Sequence, residues 1–258
     1  MSLLTPPALS IRSYPTTGEV SVALADLFVT LSADAIQTRG RFTVGLSGGS
    51  LPKILAADLV KRGDAVEWDK LTVFFCDERL VPLDHEDSNY RLCHEELFSK
   101  VPIPEAQIHT INADLLDNAD EVAEDYKDRL INVFAAMNSA KFPVFDLLLL
   151  GIGPDGHTCS LFPGHSSLEN TVDWVISEEN SPKPPPRRIT LTLPVLNHAH
   201  NVCFVATGEG KQDMLKRVID EKDQEIPSAL VQPAHGTLYW FLDDKASAKL
   251  TSIDKSDQ

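Results

Sequence analysis

Four short loops in the 258-residue sequence carry residue types that do chemistry, and each follows an apolar run. GIGPDGHT (151–158) sets Asp155 and His157 two residues apart after VFDLLLL. A histidine at the carboxyl end of a buried strand titrates near neutral pH and can move protons, and a nearby carboxylate can orient its ring. GLSGGS (45–50) offers Ser47, Gly48, Gly49 and Ser50, where glycines let backbone N–H groups approach an anion at a helix start. CDER (76–79) brings Asp77, Glu78 and Arg79 to the same sheet edge, and GEGK (208–211) puts Lys211 at a helix start, where a cation opposes the helix dipole unless an anion joins it. Arg188 enters a strand directly after the proline-rich SPKPPPRR.

Each motif also has a plainer reading. GLSGGS is a tight strand-to-helix turn, His157 a hydrogen-bonded loop histidine, and CDER a solvated strand end. GLSGGS also satisfies the G-x-S-x-G nucleophile elbow, but only about forty residues precede Ser47 and no Asp and His partners follow in the required order. GIGPDG matches the dinucleotide fingerprint, yet Pro163 follows within two turns and the acidic residue expected after the next strand is missing. GEGK lacks P-loop spacing. His198 and His200, like His157 and Cys159, form pairs without two further ligands at recognisable spacing, so no metal is expected.

The elements that must position these loops read as β/α alternation. Val20, Leu24, Leu27, Phe28, Leu31 and Ala35 form one helical stripe, and Val122, Tyr126, Leu130, Val133, Phe134 and Met137 form another over 119–137. RFTVGL, LTVFFC, VFDLLLL and VCFVAT are short buried strands of the kind found in parallel sheets. Ser181–Arg188 must be an extended loop, and RITLTL alternates Ile189, Leu191 and Leu193 as a half-buried strand. KQDMLKRVID reads as a helix. The expected fold is α/β: a three-layer α/β/α domain with a Rossmann-like, mostly parallel sheet. One domain over 1–258 is expected, with its core at about 20–243 and a polar tail, 244–258, that frays.

Composition narrows the partners. The chain has 23 Lys and Arg against 38 Asp and Glu, a net charge of −15, which argues against gripping nucleic acid or an anionic membrane surface. Any anionic ligand needs a local site. The four cysteines are scattered without a C-x-x-C pair and read as reduced thiols. With no signal-peptide pattern and no apolar run near the roughly 18 residues of a membrane span, a cytoplasmic protein is expected.

Taken together and in order, GLSGGS, CDERLVP, GIGPDGHTCSLFP, RITLTLP, GEGK and PSALVQP (227–233) resemble the 6-phosphogluconolactonase family over about residues 20–243. The wider group includes glucosamine-6-phosphate deaminases and ribose-5-phosphate isomerases. The resemblance implies hydrolysis of a phosphosugar lactone in the oxidative pentose phosphate pathway, with no cofactor and with a monomer expected. On that basis His157 is the general base, oriented by Asp155. Arg79 and the amides of Gly48 and Gly49 face sugar hydroxyls or the developing oxyanion, Asp77 accepts hydroxyl hydrogen bonds, and Arg188, Lys211, Ser47 and Ser50 hold the phosphate. The deaminase pattern is the rival, but it places a glutamate where this chain has Phe162 and an aromatic residue where it has Arg79. A catalytically silent sugar-phosphate sensor on the same fold would lose the Asp155 and His157 loop, which is present.

Overall fold

The structure, a computed structural model, describes residues 8–134 and 141–253. Its strands are β1 (Ala8–Tyr14), β2 (Phe42–Leu46), β3 (Leu71–Phe75), β4 (Asp77–Arg79), β5 (Leu147–Leu150), β6 (Val175–Glu178), β7 (Arg188–Leu191), β8 (Asn201–Ala206) and β9 (Thr237–Asp243). The helices are α1 (Thr17–Arg39), α2 (Leu51–Leu59), α3 (Asn89–Glu96), α4 (Ala119–Phe134) and the single turns α5 (Leu193–Leu196), α6 (Gln212–Leu215) and α7 (Asp244–Ser247). Six strands pair in the order β1-β9-β8-β5-β2-β3, all parallel.

The run LLLL shows why this sheet is covered on both faces. Leu148 and Leu150 join one apolar cluster, with Val122, Tyr126 and Leu130 of α4. Leu147 and Leu149 join the other, with Leu24 and Phe28 of α1 and Leu55 of α2. Alternate side chains leave opposite faces of a strand, so a continuous apolar run means two buried faces, and the layers are α/β/α. Helix α1 starts at Thr16, whose hydroxyl accepts the Glu19 N–H, and stops at Gly40, which takes a left-handed φ of 76°. From α4, the Tyr126 hydroxyl accepts the Phe75 N–H and donates to the Phe75 carbonyl at the end of edge strand β3. That lock fixes the point where the chain leaves the sheet toward Asp77.

A second, antiparallel sheet, β4-β7-β6, stands beyond that point and was not expected from the sequence. Its charged strand DER gives no apolar signal. In its register Asp77 faces Thr190 and Arg79 faces Arg188.

Several expectations need correction. RITLTL is not a half-buried strand through Leu193, because all four residues of β7 are buried and Leu193 opens α5. The helix expected over 211–220 is a short α6 followed by a wider π turn, Lys216–Asp220. The core is not confined to 20–243, since β1 pairs along its whole length with β9. The tail does not fray from Asp244: Asp243 caps α7 by accepting the Ala246 N–H at 2.8 Å, and Ala246 and Leu250 are buried. Residues 254–258 and Met137 lie outside the described residues. Among the described residues no helix is long and apolar enough to cross a membrane.

Candidate active site

The carboxyl ends of β2, β5 and β8 and the small sheet enclose a cleft of about 190 Å³. Ser47, Gly48, Gly49, Ser50, Asp77, Arg79, His157, Arg188 and Lys211 all line it. Asp155, the remaining predicted residue, sits behind His157. Parallel α/β sheets place ligands at this edge, where strand ends open onto the first turns of helices.

His157 is held from several sides. Its Nδ1 lies 2.5 Å from Asp155 Oδ1, and its ring packs on Phe162 with centroids 4.7 Å apart. An ionised carboxylate only accepts, so Nδ1 carries the proton and Nε2 is left for chemistry. The loop is tied by Gly153 N–H to the His157 carbonyl at 2.8 Å and by Gly156 N–H to the Gly153 carbonyl at 3.0 Å. Gly153 has to be glycine: a Cβ there would stand 2.0 Å from His157 Nδ1 and 2.7 Å from Asp155 Oδ1. Burial pulls the His157 pKa below its ordinary value, against the Asp155 carboxylate, which raises it. For Asp155, partial burial would raise the pKa, but hydrogen bonds from His157 and Lys183 outweigh it and hold the carboxyl at about 2. The pair is therefore a neutral imidazole beside a carboxylate at neutral pH.

Three cations share the cleft with His157. Arg188 is almost fully buried, and its guanidinium donates from Nε to the Pro185 carbonyl at 3.0 Å and from Nη2 to the Lys183 carbonyl at 3.0 Å and that of Pro184 at 3.4 Å. Nη1 reaches Ser160 Oγ at 3.4 Å. One edge of the fork is thus spent on its own proline loop, and Nη1 alone is left for a ligand. Arg79 donates from Nη1 to the Asp87 carbonyl at 2.7 Å, while its buried Nε has no acceptor. Lys211 Nζ donates to the Ile152 carbonyl at 2.6 Å, which aims the ammonium across the mouth of the His157 loop. Burial lowers the pKa of both Arg188 and Lys211, and in each case a neighbouring cation adds to the effect. Two arginines directly opposite on paired strands repel, and an anion between them relieves that cost.

Asp77 is fixed by Ser160 Oγ at 2.8 Å and by Asn89, whose Nδ2 donates to the Asp77 carbonyl at 2.9 Å. The Asn89 amide also lies where a Cβ on Gly48 would be, 1.9 Å from its Oδ1. Glu78 points away from the chemistry. Burial pushes its pKa up to about 7, and its carboxylate accepts the N–H groups of Arg79, Asn89 and Tyr90, capping α3. Gly49 turns the cradle with φ 72°, and Ser47 Oγ is buried without a partner. Ser50 and Leu51, at the start of α2, line the cleft, and Pro52 in that first turn brings no N–H.

Asn89, Ser160 and Lys183 are the polar groups the sequence did not disclose. Asn89 and Ser160 show no local motif, because their partners lie 12 or more residues away. Lys183 was in view within SPKPPPRR, but only the pairing of that loop with 155–157 gives it a role. Among the described residues no group of three His, Cys, Asp or Glu gathers as a metal site.

Residues 15–240 match the family model described as glucosamine-6-phosphate isomerases/6-phosphogluconolactonase. The chain is 48% identical over 248 residues to the probable 6-phosphogluconolactonase of Schizosaccharomyces pombe, covering 94% of this chain and 96% of that one. It is 47% identical over 257 residues to the 6-phosphogluconolactonase of Rattus norvegicus, covering 98% and 97%. Among solved structures, the 6-phosphogluconolactonase from Trypanosoma cruzi superposes with a TM-score of 0.83 at 28% identity, over 96% of this chain and 99% of that one. With its cleft at the carboxyl edge of a parallel sheet and these relatives along its whole length, the chain belongs to the glucosamine-6-phosphate isomerase/6-phosphogluconolactonase family.

Proposed function

We propose that this chain hydrolyses 6-phospho-D-glucono-1,5-lactone to 6-phospho-D-gluconate, acting as a single cytoplasmic domain without a cofactor. The observation that carries the reading is His157, oriented by Asp155, sharing one cleft with the cations Arg79, Arg188 and Lys211. Close relatives bearing the lactonase name agree with it.

Lactone hydrolysis needs a water activated at the carbonyl carbon, a donor for the oxyanion that forms, and a proton for the departing ring oxygen. His157 Nε2 takes a proton from water as the C–O bond forms and returns it to the ring oxygen as the ring C–O bond breaks. Asp155 stabilises the imidazolium between those two events. Arg79 and the amides of Gly48 and Gly49 are placed to stabilise the oxyanion or to bind sugar hydroxyls, and Asp77 accepts hydroxyl hydrogen bonds. Lys211, the Nη1 end of Arg188 and the α2 start with Ser47 and Ser50 form the anionic subsite.

Deamination by the rival pattern needs a further carboxylate beside the histidine. Phe162 occupies that place, fully buried, with its ring on His157 and the Arg188 guanidinium 5.7 Å from its centroid. A phenyl ring transfers no proton. The reading predicts that His157→Ala lowers kcat on the lactone by about 10²- to 10⁴-fold and moves KM little. Steady-state rates corrected for uncatalysed hydrolysis check this, and an unchanged kcat refutes the role of His157.

A further inference from the structure

We infer that Lys183 is a positioning residue for the acid–base pair: by sharing Asp155 with His157 it keeps the imidazole in its neutral, proton-accepting form. This rests on the reading of His157 as the general base. Lys183 Nζ lies 3.2 Å from Asp155 Oδ1, the same oxygen that His157 Nδ1 engages, and 3.4 Å from Nδ1 itself. Because Nδ1 already carries a proton, the last contact is charge against ring rather than a hydrogen bond.

The proline loop holds the lysine in place. The Lys183 N–H donates to Ser181 Oγ at 3.2 Å, Ser181 Oγ donates back to the Lys183 carbonyl at 2.9 Å, and the Ser181 N–H donates to the Pro186 carbonyl at 3.0 Å. The same Lys183 carbonyl accepts from Arg188 Nη2. One short loop therefore aims a guanidinium into the cleft through its carbonyls and an ammonium at the back of the catalytic pair through its side chain. Lys183 is not among the residues that line the cleft, which separates it from Arg188 and Lys211.

The sign of its effect follows from the groups around His157. Asp155, on the same loop, and Asp77, at the start of β4, both favour the imidazolium. Phe162 offers only an apolar face. Lys183 is the cation that acts on His157 against the two carboxylates; Lys211, held on the Ile152 carbonyl, itself feels both Lys183 and Asp155, while Arg188 lies over the ring of Phe162 and Arg79 lines the same cleft. Without Lys183, Asp155 would pair with His157 alone and hold it protonated to higher pH. A base that is already protonated cannot activate water.

The test is the pH dependence of kcat/KM, which reports ionisations of the free enzyme, for wild type, Lys183→Met and Lys183→Arg. The expected result for Lys183→Met is an acid limb displaced upward by about one pH unit, a loss approaching about tenfold on the falling acid limb with the alkaline plateau within about twofold of wild type. Lys183→Arg should return the limb toward its original place. A limb that stays put, or a rise in KM of equal size at every pH, overturns the inference and makes Lys183 a structural or phosphate contact. Titration of the His157 ring by NMR in the same proteins reads the charge coupling directly and must move upward in Lys183→Met. If His157→Ala kept full kcat while this titration still moved, the general-base reading would fail and the coupling would stand. Because the side chain is one-third exposed, Lys183→Gln gives the same comparison should the Met variant not fold.

Discussion

At the residue scale, Arg188 shows how one side chain carries two duties that the sequence could not separate. Its position at the start of β7 marks it as a cation at the sheet edge, and the expectation was a phosphate contact. In the fold it also satisfies the carbonyls of Lys183, Pro184 and Pro185. These bonds are part-buried and the Lys183 carbonyl keeps its Ser181 donor, so losing the fork costs about 1 kcal/mol. Arg188→Lys keeps the charge but cannot reproduce the planar fork, so it should raise KM and lower Tm together. At about 2–4 °C for each kcal/mol in a chain of this size, the loss should be plain in a thermal melt. A raised KM with an unchanged Tm would show that the carbonyl contacts do not matter.

At the element scale, the site depends on a loop that closes on itself at the end of β5. Gly153→Ala places a methyl group where His157 and Asp155 already are, so either the ring turns away from its carboxylate or the loop opens. Activity should then fall nearly as far as in His157→Ala, while circular dichroism of the folded protein stays close to wild type. Full activity in Gly153→Ala would show that the loop has slack the structure does not suggest. Elements with an apolar signature were legible in advance: LTVFF, LLLL and VCFVA appear as strands of the parallel sheet, and the α1 stripe packs as its spacing implies. Elements whose pairing depends on distant polar partners were not. β1 is half exposed and lies outside the core expected at about 20–243, DER of β4 reads as a strand end, and α7 reads as a tail until Asp243 is seen capping it. The difference is physical, since burial periodicity is written locally and polar pairing is not.

At the scale of the whole molecule, the net charge of −15 now has a location opposed to it. Arg79, Arg188 and Lys211 converge on one cleft, with Lys183 behind it, in a protein whose average field repels an anion. Recognition therefore rests on contact, and the proposed reading assigns the contacts: a neutral base, hydrogen-bonding groups for a sugar, cations for a phosphate, and Phe162 in the place of the deaminase pattern's carboxylate. The most direct test supplies freshly generated 6-phosphogluconolactone and follows acid release, beside a parallel assay for ammonia from glucosamine 6-phosphate. The account predicts acid well above the uncatalysed rate and no ammonia; ammonia release, or acid at the uncatalysed rate only, would contradict it.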